Sequence, residues 1–152
     1  MRILMVSDVY FPRVNGVSTS IETFRRTLDG LGVEVRLVVP RYGDEPEEAG
    51  VIRVAGRPVP GDPEDRLVGW PAMHRAVLEA AGDCDLIHVQ TPFVAHYAGL
   101  KAARTLGLPV VATYHTLFEE YLQHYARLIP AGWLRGRKRP SRSSGTERFS
   151  TP

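Results

Sequence analysis

The residues of this chain whose types and spacing could do chemistry begin directly after its first apolar run. That run, Arg2 to Ser7, is followed by a short loop and then by Asn15, Gly16 and Val17. A glycine between a strand and a helix lets a ligand approach the main chain without meeting a side chain. The free amides of a helix N-terminus favour anions such as phosphate. We therefore predict that these three residues bind a phosphorylated group; the alternative is an ordinary strand-to-helix turn.

A second group of polar and aromatic residues follows two later apolar runs. Its members are Gln90 and Thr91 after one run and Tyr114, His115 and Thr116 after the other. The carboxyl ends of parallel strands share one edge of a sheet, so this group is expected to face the same cleft as Gly16. There His115 could hydrogen-bond a ligand hydroxyl. The alternative is a histidine that caps the next helix or is exposed in a loop.

The remaining histidines indicate neither a metal nor a cofactor site. His88, His96, His115 and His124 share no spacing typical of metal ligands, and we predict no metal. His88 lies inside an apolar run and is interpreted as a core or sheet-edge histidine. The chain has one glycine after the first strand, not Gly-x-Gly-x-x-Gly, and it lacks the Gly-Lys-Ser or Gly-Lys-Thr of a P-loop. No bound cofactor is predicted.

The elements that must position these residues alternate between strands and helices. Apolar runs at residues 2–7, 33–39, 51–54, 85–90 and 109–114 are predicted to be strands. Helices are predicted between them, one ending before Gly32, one with Pro71 in its first turn and one ended by Gly107. Such alternation is typical of right-handed β-α-β crossovers. The fold class is therefore α/β, a doubly wound and mostly parallel sheet.

Two local patterns refine this prediction. Thr19 and Glu22 have the spacing of a capping box, so the first helix is expected to begin near Thr19. Residues 57–63 contain three prolines and a glycine and are predicted to be a long loop.

Composition indicates one globular domain followed by a basic, polar segment. Of the 152 residues 43% are hydrophobic and 24% charged, and the length suits a single core. Residues 1–134 are assigned to this domain. Residues 135–152 are basic and rich in Ser, Arg and Pro, with almost no apolar side chains, and are expected to be disordered.

The chain shows no secretory signal and no run long enough to span a membrane. The single cysteine, Cys84, agrees with a cytoplasmic location. Residues 117–128 form an amphipathic, aromatic-rich pattern, followed by Trp133, Arg135 and Arg137. This pattern is typical either of packing within the domain or of a face that docks on a partner domain or on an anionic membrane, such as the inner face of the plasma membrane. No nucleic-acid partner is predicted.

Four of these segments together resemble one enzyme family. Residues 2–12, 15–17, 87–93 and 113–116 are similar to the N-terminal domain of family 4 retaining glycosyltransferases. Within that family the likeness is to members that transfer glucose or mannose to diacylglycerol-type and related lipids. The resemblance extends from residue 2 to about residue 134.

The resemblance implies a GT-B enzyme of two Rossmann-like domains. The N-terminal domain would hold the acceptor, and Tyr10, Gln90, Thr91, Tyr114 and Thr116 are assigned to that side of the cleft. Gly16, with Asn15 and Val17, would lie against the donor diphosphate, and the catalytic residue His115 would contact the transferred sugar. The donor would be a nucleotide-sugar of the UDP-glucose or GDP-mannose type. Transfer would retain the anomeric configuration and need no metal.

The chain departs from the family pattern in one respect. The second domain of the family holds the donor with two glutamates eight positions apart, and no such pair occurs here. The donor domain is therefore expected to be absent and this chain alone to be inactive. A lipid- or nucleotide-binding module without turnover remains an open alternative, as does a doubly wound regulatory protein.

Overall fold

The computed structural model describes residues 1–115, which build one six-stranded sheet with helices on both faces. The elements in chain order are β1 (Arg2–Val6), α1 (Gly16–Gly30), β2 (Glu34–Arg41), β3 (Val51–Val59), β4 (Asp62–Val68), α2 (Trp70–Ala80), β5 (Leu86–Val89), α3 (Val94–Leu106) and β6 (Val110–Ala112). The strand order is β4-β3-β2-β1-β5-β6. All neighbours are parallel except β3 and β4, which are antiparallel. The predicted α/β, mostly parallel fold class is confirmed.

The central strand β1 shows how the sequence divides the core into two layers. Its residues alternate between the two faces, as strand geometry requires. Leu4 and Val6 join the cluster under α2 and α3, whereas Ile3 and Met5 join the cluster under α1. A strand that is buried on both faces must be apolar throughout, which explains the continuous apolar run.

Helix α3 lies close to the sheet because its inward face carries only small residues. Ala95, Ala98, Gly99 and Ala102 are all buried. A Cβ placed on Gly99 would lie 2.9 Å from Cγ2 of Val89 on β5. The helix ends where Gly107 adopts the left-handed conformation, with φ of 69°, as its position after the last apolar residue predicted.

The N-terminus of α3 is capped from a distant part of the chain. The Asp8 carboxylate, just after β1, accepts hydrogen bonds from the Ala95 amide at 3.0 Å and from the Thr91 hydroxyl at 2.7 Å. The Asp8 amide in turn donates to the Thr91 hydroxyl oxygen. These bonds tie the ends of β1 and β5 together at the carboxyl edge of the sheet.

Helix α1 begins earlier than the capping-box pattern predicted. Its first residue is Gly16, and Asn15 is the cap, with Oδ1 accepting from the Ser18 amide at 2.8 Å. Thr19 instead donates its hydroxyl to the Asn15 carbonyl one turn back, so the prediction of a start at Thr19 was wrong. An amide oxygen at position 15 provides the same cap one turn sooner.

The predicted loop at residues 57–63 was also wrong, because most of it lies in a hairpin. Strands β3 and β4 pair on either side of a turn at Gly61, whose φ is 86°. Pro58 lies in β3 beyond the last residue that pairs with β2 and next to a register shift in the pairing with β4, where a residue that cannot donate a main-chain hydrogen bond is tolerated.

Several predictions fall on residues that the structure does not describe. They are the domain limit at 134, the tail at 135–152, the amphipathic segment at 117–128, and the assignments to Thr116, Trp133, Arg135 and Arg137. Among residues 1–115, no helix is long and apolar enough to cross a membrane.

Candidate functional site

The N-terminus of α1 presents two main-chain amides at the carboxyl edge of the sheet. The Asn15 side chain satisfies the Ser18 amide, and the Ser18 hydroxyl donates to the Arg13 carbonyl at 2.7 Å, which fixes the loop before the helix. Within the described part of the chain, the amides of Gly16 and Val17 have no hydrogen-bond partner. Amides left free at the positive end of a helix are suited to an anion.

Gly16 keeps that end of the helix open. It is exposed, and a Cβ built on it would have no atom within 4 Å. Its φ is not positive, so the backbone itself does not require glycine. What the missing side chain provides is therefore access to the amides rather than a special conformation.

Two hydrogen bonds join the ends of β5 and β6 next to this helix. His115 Nε2 lies 2.8 Å from Gln90 Oε1, and His88 Nε2 lies 2.7 Å from Thr113 Oγ1. Main-chain pairing continues past both strands, with the Thr113 amide donating to the carbonyl of Val89. The sequence prediction that His115 and Gln90 meet at one edge is confirmed.

This pair lies on the α1 face of the sheet. The Phe24 ring of α1 packs edge-on against His88, with ring centroids 5.7 Å apart. Gln90 is two residues beyond His88 and therefore projects to the same side. Helix α1 and the Gln90–His115 pair thus belong to one face and one edge.

Both histidines are held in the neutral form. Burial lowers the pKa of His115, and burial together with the nearby His115 lowers the pKa of His88. If the Gln90 carbonyl oxygen accepts from His115 Nε2, the other ring nitrogen of His115 is an acceptor. His88 is only 7% exposed and bonded to Thr113, which confirms its interpretation as a core histidine.

Gln90 has one polar group without a partner. Its side chain is 1% exposed, and its Nε2 makes no hydrogen bond within residues 1–115. A buried donor left unpaired costs folding free energy, on the order of 1 to 3 kcal/mol. Gln90 Nε2 is therefore an unsatisfied donor that is enclosed by protein at the carboxyl edge.

Two other predicted residues, Thr91 and Tyr114, differ in their exposure. Thr91 is buried, and its hydroxyl is used by Asp8. Tyr114 is 74% exposed. Thr91 and Tyr114 remain predictions as acceptor-side residues, with Thr91 contributing to the position of the edge.

Tyr10 does not fit the predicted acceptor side of the cleft. It is 2% exposed and packs in the cluster under α1. Its hydroxyl donates to Glu22 and accepts from Arg25, both at 2.7 Å. Burial, with the hydrogen bond to Glu22, raises the pKa of Tyr10 to about 12. The chain turns back against α1 after β1, and this places the ring in the core.

A cavity of about 680 Å³ lies beside this site and was not foreseen from the sequence. It is formed by the loop between β1 and α1, the loop after β2, and β4. Arg13 and Val14, which line it, directly precede the α1 cap. The cavity was missed because no strand was predicted at residues 62–68, where β4 lies.

Taken together, the edge can bind an anion at the start of α1 and hydrogen-bond a polar group through neutral His115, which is paired with Gln90. Within the described range, no group of three or more His, Cys, Asp or Glu residues could hold a metal ion. The arrangement suits the positioning of a phosphorylated, hydroxyl-rich ligand.

Comparison with known proteins finds a matching family model and several similar enzymes. A family model described as Glycosyltransferase Family 4 matches residues 14–147. The chain is 36% identical to an alpha-monoglucosyldiacylglycerol synthase of Streptococcus pneumoniae, over 84% of this chain and 29% of that protein. A synthase of the same name from Acholeplasma laidlawii is 29% identical, over 85% of this chain and 33% of the relative.

A third relative has a different sugar in its name. The chain is 31% identical to a GDP-mannose-dependent alpha-mannosyltransferase of Mycolicibacterium smegmatis, over 99% of this chain and 42% of that protein. The chain therefore spans less than half of the length of each of these three relatives.

Proposed function

Since this chain belongs to Glycosyltransferase Family 4, we propose that it is the acceptor-side domain of an enzyme that transfers a hexose from a nucleotide-sugar to a lipid-type acceptor. The names of its relatives support a diacylglycerol-type product for two of them and a GDP-mannose donor for the third. The observation that carries the proposal is the shared edge on which free α1 amides and the neutral His115–Gln90 pair lie together.

The donor diphosphate is assigned to the start of α1. As the bond between the hexose and the diphosphate breaks, negative charge grows on the departing phosphate oxygens. The free amides of Gly16 and Val17 would stabilise that charge, and they do so best in place before the reaction begins. Asn15 contributes by capping the helix and holding these amides in position.

The transferred hexose is assigned to His115. Because its pKa is lowered and its Nε2 is paired with Gln90 Oε1, neutral His115 offers Nδ1 as an acceptor and does not add a positive charge beside the sugar. Its bond to Gln90 fixes the ring. In this proposal His115 positions a sugar hydroxyl. The bond from the anomeric carbon to the diphosphate breaks, a new bond forms from the anomeric carbon to an acceptor hydroxyl oxygen, and the proton of that hydroxyl passes to the departing diphosphate. We propose that the configuration at the anomeric carbon is retained and that no metal is needed.

A lipid acceptor places the reaction at a membrane surface. We propose that the protein works on the cytoplasmic side, attached peripherally, and that Tyr114 and Thr91 lie on the acceptor side of the cleft. The donor is of the UDP-glucose or GDP-mannose type.

The test uses a chimaera in which residues 1–115 replace the aligned segment of the Streptococcus pneumoniae relative. Hexose transfer to a lipid extract is measured with UDP-glucose and with GDP-mannose. We expect His115→Ala to lower kcat/KM by roughly 100-fold to 1,000-fold, the loss typical of one transition-state hydrogen bond. We expect Gly16→Val to abolish transfer, since a branched side chain would stand over the amides.

Matched controls separate chemistry from folding. Gly30→Val changes the other end of α1, where a Cβ also meets nothing within 4 Å, and should transfer at the parental rate. Circular dichroism confirms that each chimaera folds. A folded parent without transfer, or a His115→Ala variant that matches the parent, contradicts the proposal.

A further inference from the structure

The loop between β1 and α1 is held by an arginine from a strand that is not its neighbour. Arg53 lies on β3, in register with Val39 of β2, and shares the α1 face of the sheet with Val51. Because β2 lies between β3 and β1, the Arg53 side chain has to cross the end of β2 to reach this loop. Its Nη1 donates to the Phe11 carbonyl at 2.9 Å and, at 3.4 Å, to the Pro40 carbonyl at the end of β2.

The same guanidinium lies against the aromatic ring at the start of the loop. Its carbon is 5.7 Å from the centre of the Tyr10 ring, and a cation over an aromatic face is attracted to the ring electrons. Tyr10 is 2% exposed, and its hydroxyl is bonded to Glu22 and Arg25 of α1. Arg53 therefore packs on a ring that is itself fixed to the helix.

This arrangement is not the one that stability alone would favour. Nε of Arg53 is buried and has no hydrogen-bond partner within residues 1–115. A buried donor without an acceptor opposes folding. Arg13 and Arg36 pair with carboxylates, whereas the bonds that Arg53 makes go to main-chain carbonyls. Locally unfavourable contacts of this kind are expected where a functional geometry is held in place.

A short series of hydrogen bonds connects the Phe11 carbonyl to the start of α1. The Arg13 amide donates to the Tyr10 carbonyl at 3.1 Å, which closes a tight turn around Phe11. The Arg13 carbonyl accepts from the Ser18 hydroxyl at 2.7 Å, and the Ser18 amide donates to Oδ1 of Asn15. A displacement of the Phe11 carbonyl would therefore be passed on to the first turn of α1, where the free amides lie.

We propose that Arg53 is a positioning residue for the donor site: by holding the Phe11 carbonyl, it fixes the loop that directs the amides of Gly16 and Val17 at the departing diphosphate. The reference to the diphosphate rests on the proposed function. Arg53 acts through the loop and does not touch the ligand. Loss of its hydrogen bond should leave ground-state binding of the nucleotide-sugar nearly unchanged. It should weaken the stabilisation of charge in the transition state, which depends most on exact placement of the donors.

The first experiment compares the amide NMR spectrum of the 152-residue chain with the spectra of three variants. Arg53→Met keeps an apolar stem against Tyr10 but removes the donor, whereas Arg53→Lys keeps a charged donor. Arg57→Met is the matched control, since Arg57 is an exposed residue of the same strand. We expect Arg53→Met to shift the amide signals of Gly16 and Val17. Arg53→Lys should return these signals towards their parental positions, and Arg57→Met should leave them in place.

The second experiment measures kcat and the donor KM of the same variants in the chimaera with the Streptococcus pneumoniae relative. We expect Arg53→Met to lower kcat by roughly 10-fold to 100-fold, the range for a slightly misplaced transition-state contact, and to change the donor KM by less than about threefold. Arg53→Lys should regain most of the parental kcat, and Arg57→Met should match the parent. Rates are taken at a temperature at which circular dichroism shows every variant to be folded, so a loss of stability alone would not lower kcat.

The proposal is overturned if the signals of Gly16 and Val17 stay in place in Arg53→Met, or if Arg57→Met moves them equally. It is also overturned if Arg53→Met transfers at the parental kcat. A raised donor KM at unchanged kcat would mean a direct contact between Arg53 and the nucleotide-sugar. A folded parental chimaera without transfer contradicts the proposed function instead, and the NMR comparison then still decides whether Arg53 sets the position of the amides.

Discussion

Single residues at the carboxyl edge of the sheet divide into those that hold the edge and those that remain free to bind. Asp8 and Thr91 bond to each other and to the start of α3. The amides of Gly16 and Val17 have no hydrogen-bond acceptor within the described residues. This division decides which substitutions should alter stability and which should alter binding.

Asp8 gives the first stability prediction. We expect Asp8→Ala to lower the free energy of unfolding by about 1 to 3 kcal/mol, because the Ala95 amide and the Thr91 hydroxyl lose their acceptor. Asp8→Asn should cost less, since an amide oxygen can still cap and burial already raises the pKa of this carboxyl. Urea unfolding measures both. Asp29→Ala on the surface is the control, and an equal effect of Asp8→Ala and the control contradicts the role.

The sequence predicted part of this residue-level picture. The contact of His115 with Gln90 follows from two strand ends at one edge. The cap of α3 by Asp8 could not be predicted, because its partners lie more than 80 positions away in the chain. The burial of Tyr10 depends on how the chain turns after β1 and on the partners Glu22 and Arg25.

Among the elements, α3 is the one whose packing against the sheet leaves least room. A Cβ on Gly99 would lie 2.9 Å from Val89 and 3.4 Å from Ile87. Both neighbours are buried branched residues of β5. Close approach of the helix to the strand therefore depends on the missing side chain.

Gly99→Ala should therefore destabilise the protein by about 1 to 3 kcal/mol through overpacking. The intrinsic gain of alanine over glycine in a helix, about 1 kcal/mol, acts in the opposite direction, so the expected net loss of stability is up to about 2 kcal/mol. Gly30→Ala is a matched control, since nothing lies within 4 Å of its Cβ position. Thermal unfolding compares the two variants. Equal melting temperatures would mean that α3 can move away from β5 without cost.

Element types were predictable where local chemistry and packing agree. Pro71 at the start of α2 and the left-handed Gly107 at the end of α3 are local signals that the structure confirms. The β3–β4 hairpin was missed because Pro58 and Pro63, taken from the local sequence alone, indicate a loop. Pro63 is tolerated in the edge strand β4 and Pro58 next to a register shift in β3, and both conditions are tertiary properties. With the hairpin, the cavity was missed as well.

For the whole described domain, the buried His88 and the half-buried His115 link stability to pH. The pKa of His88 and of His115 is lowered in the folded state, so the unfolded chain binds protons more readily than the folded one. Above the ordinary histidine pKa of about 6.5 neither state is protonated and the effect is absent. As pH falls below that value, protonation favours the unfolded chain, and the loss of stability grows until the folded pKa is reached.

We therefore expect the melting temperature to fall between about pH 7.5 and about pH 5.5. His88→Gln, which keeps a polar partner for Thr113, should flatten this dependence even if it lowers the melting temperature at neutral pH. His96→Gln on α3 is the control and should retain the parental slope. The raised pKa of Asp8 acts with the opposite sign, and so does not mimic the effect. A slope that is identical in the parent and in His88→Gln would show that this histidine is not held neutral, and the electrostatic account of the neighbouring His115 would then need revision.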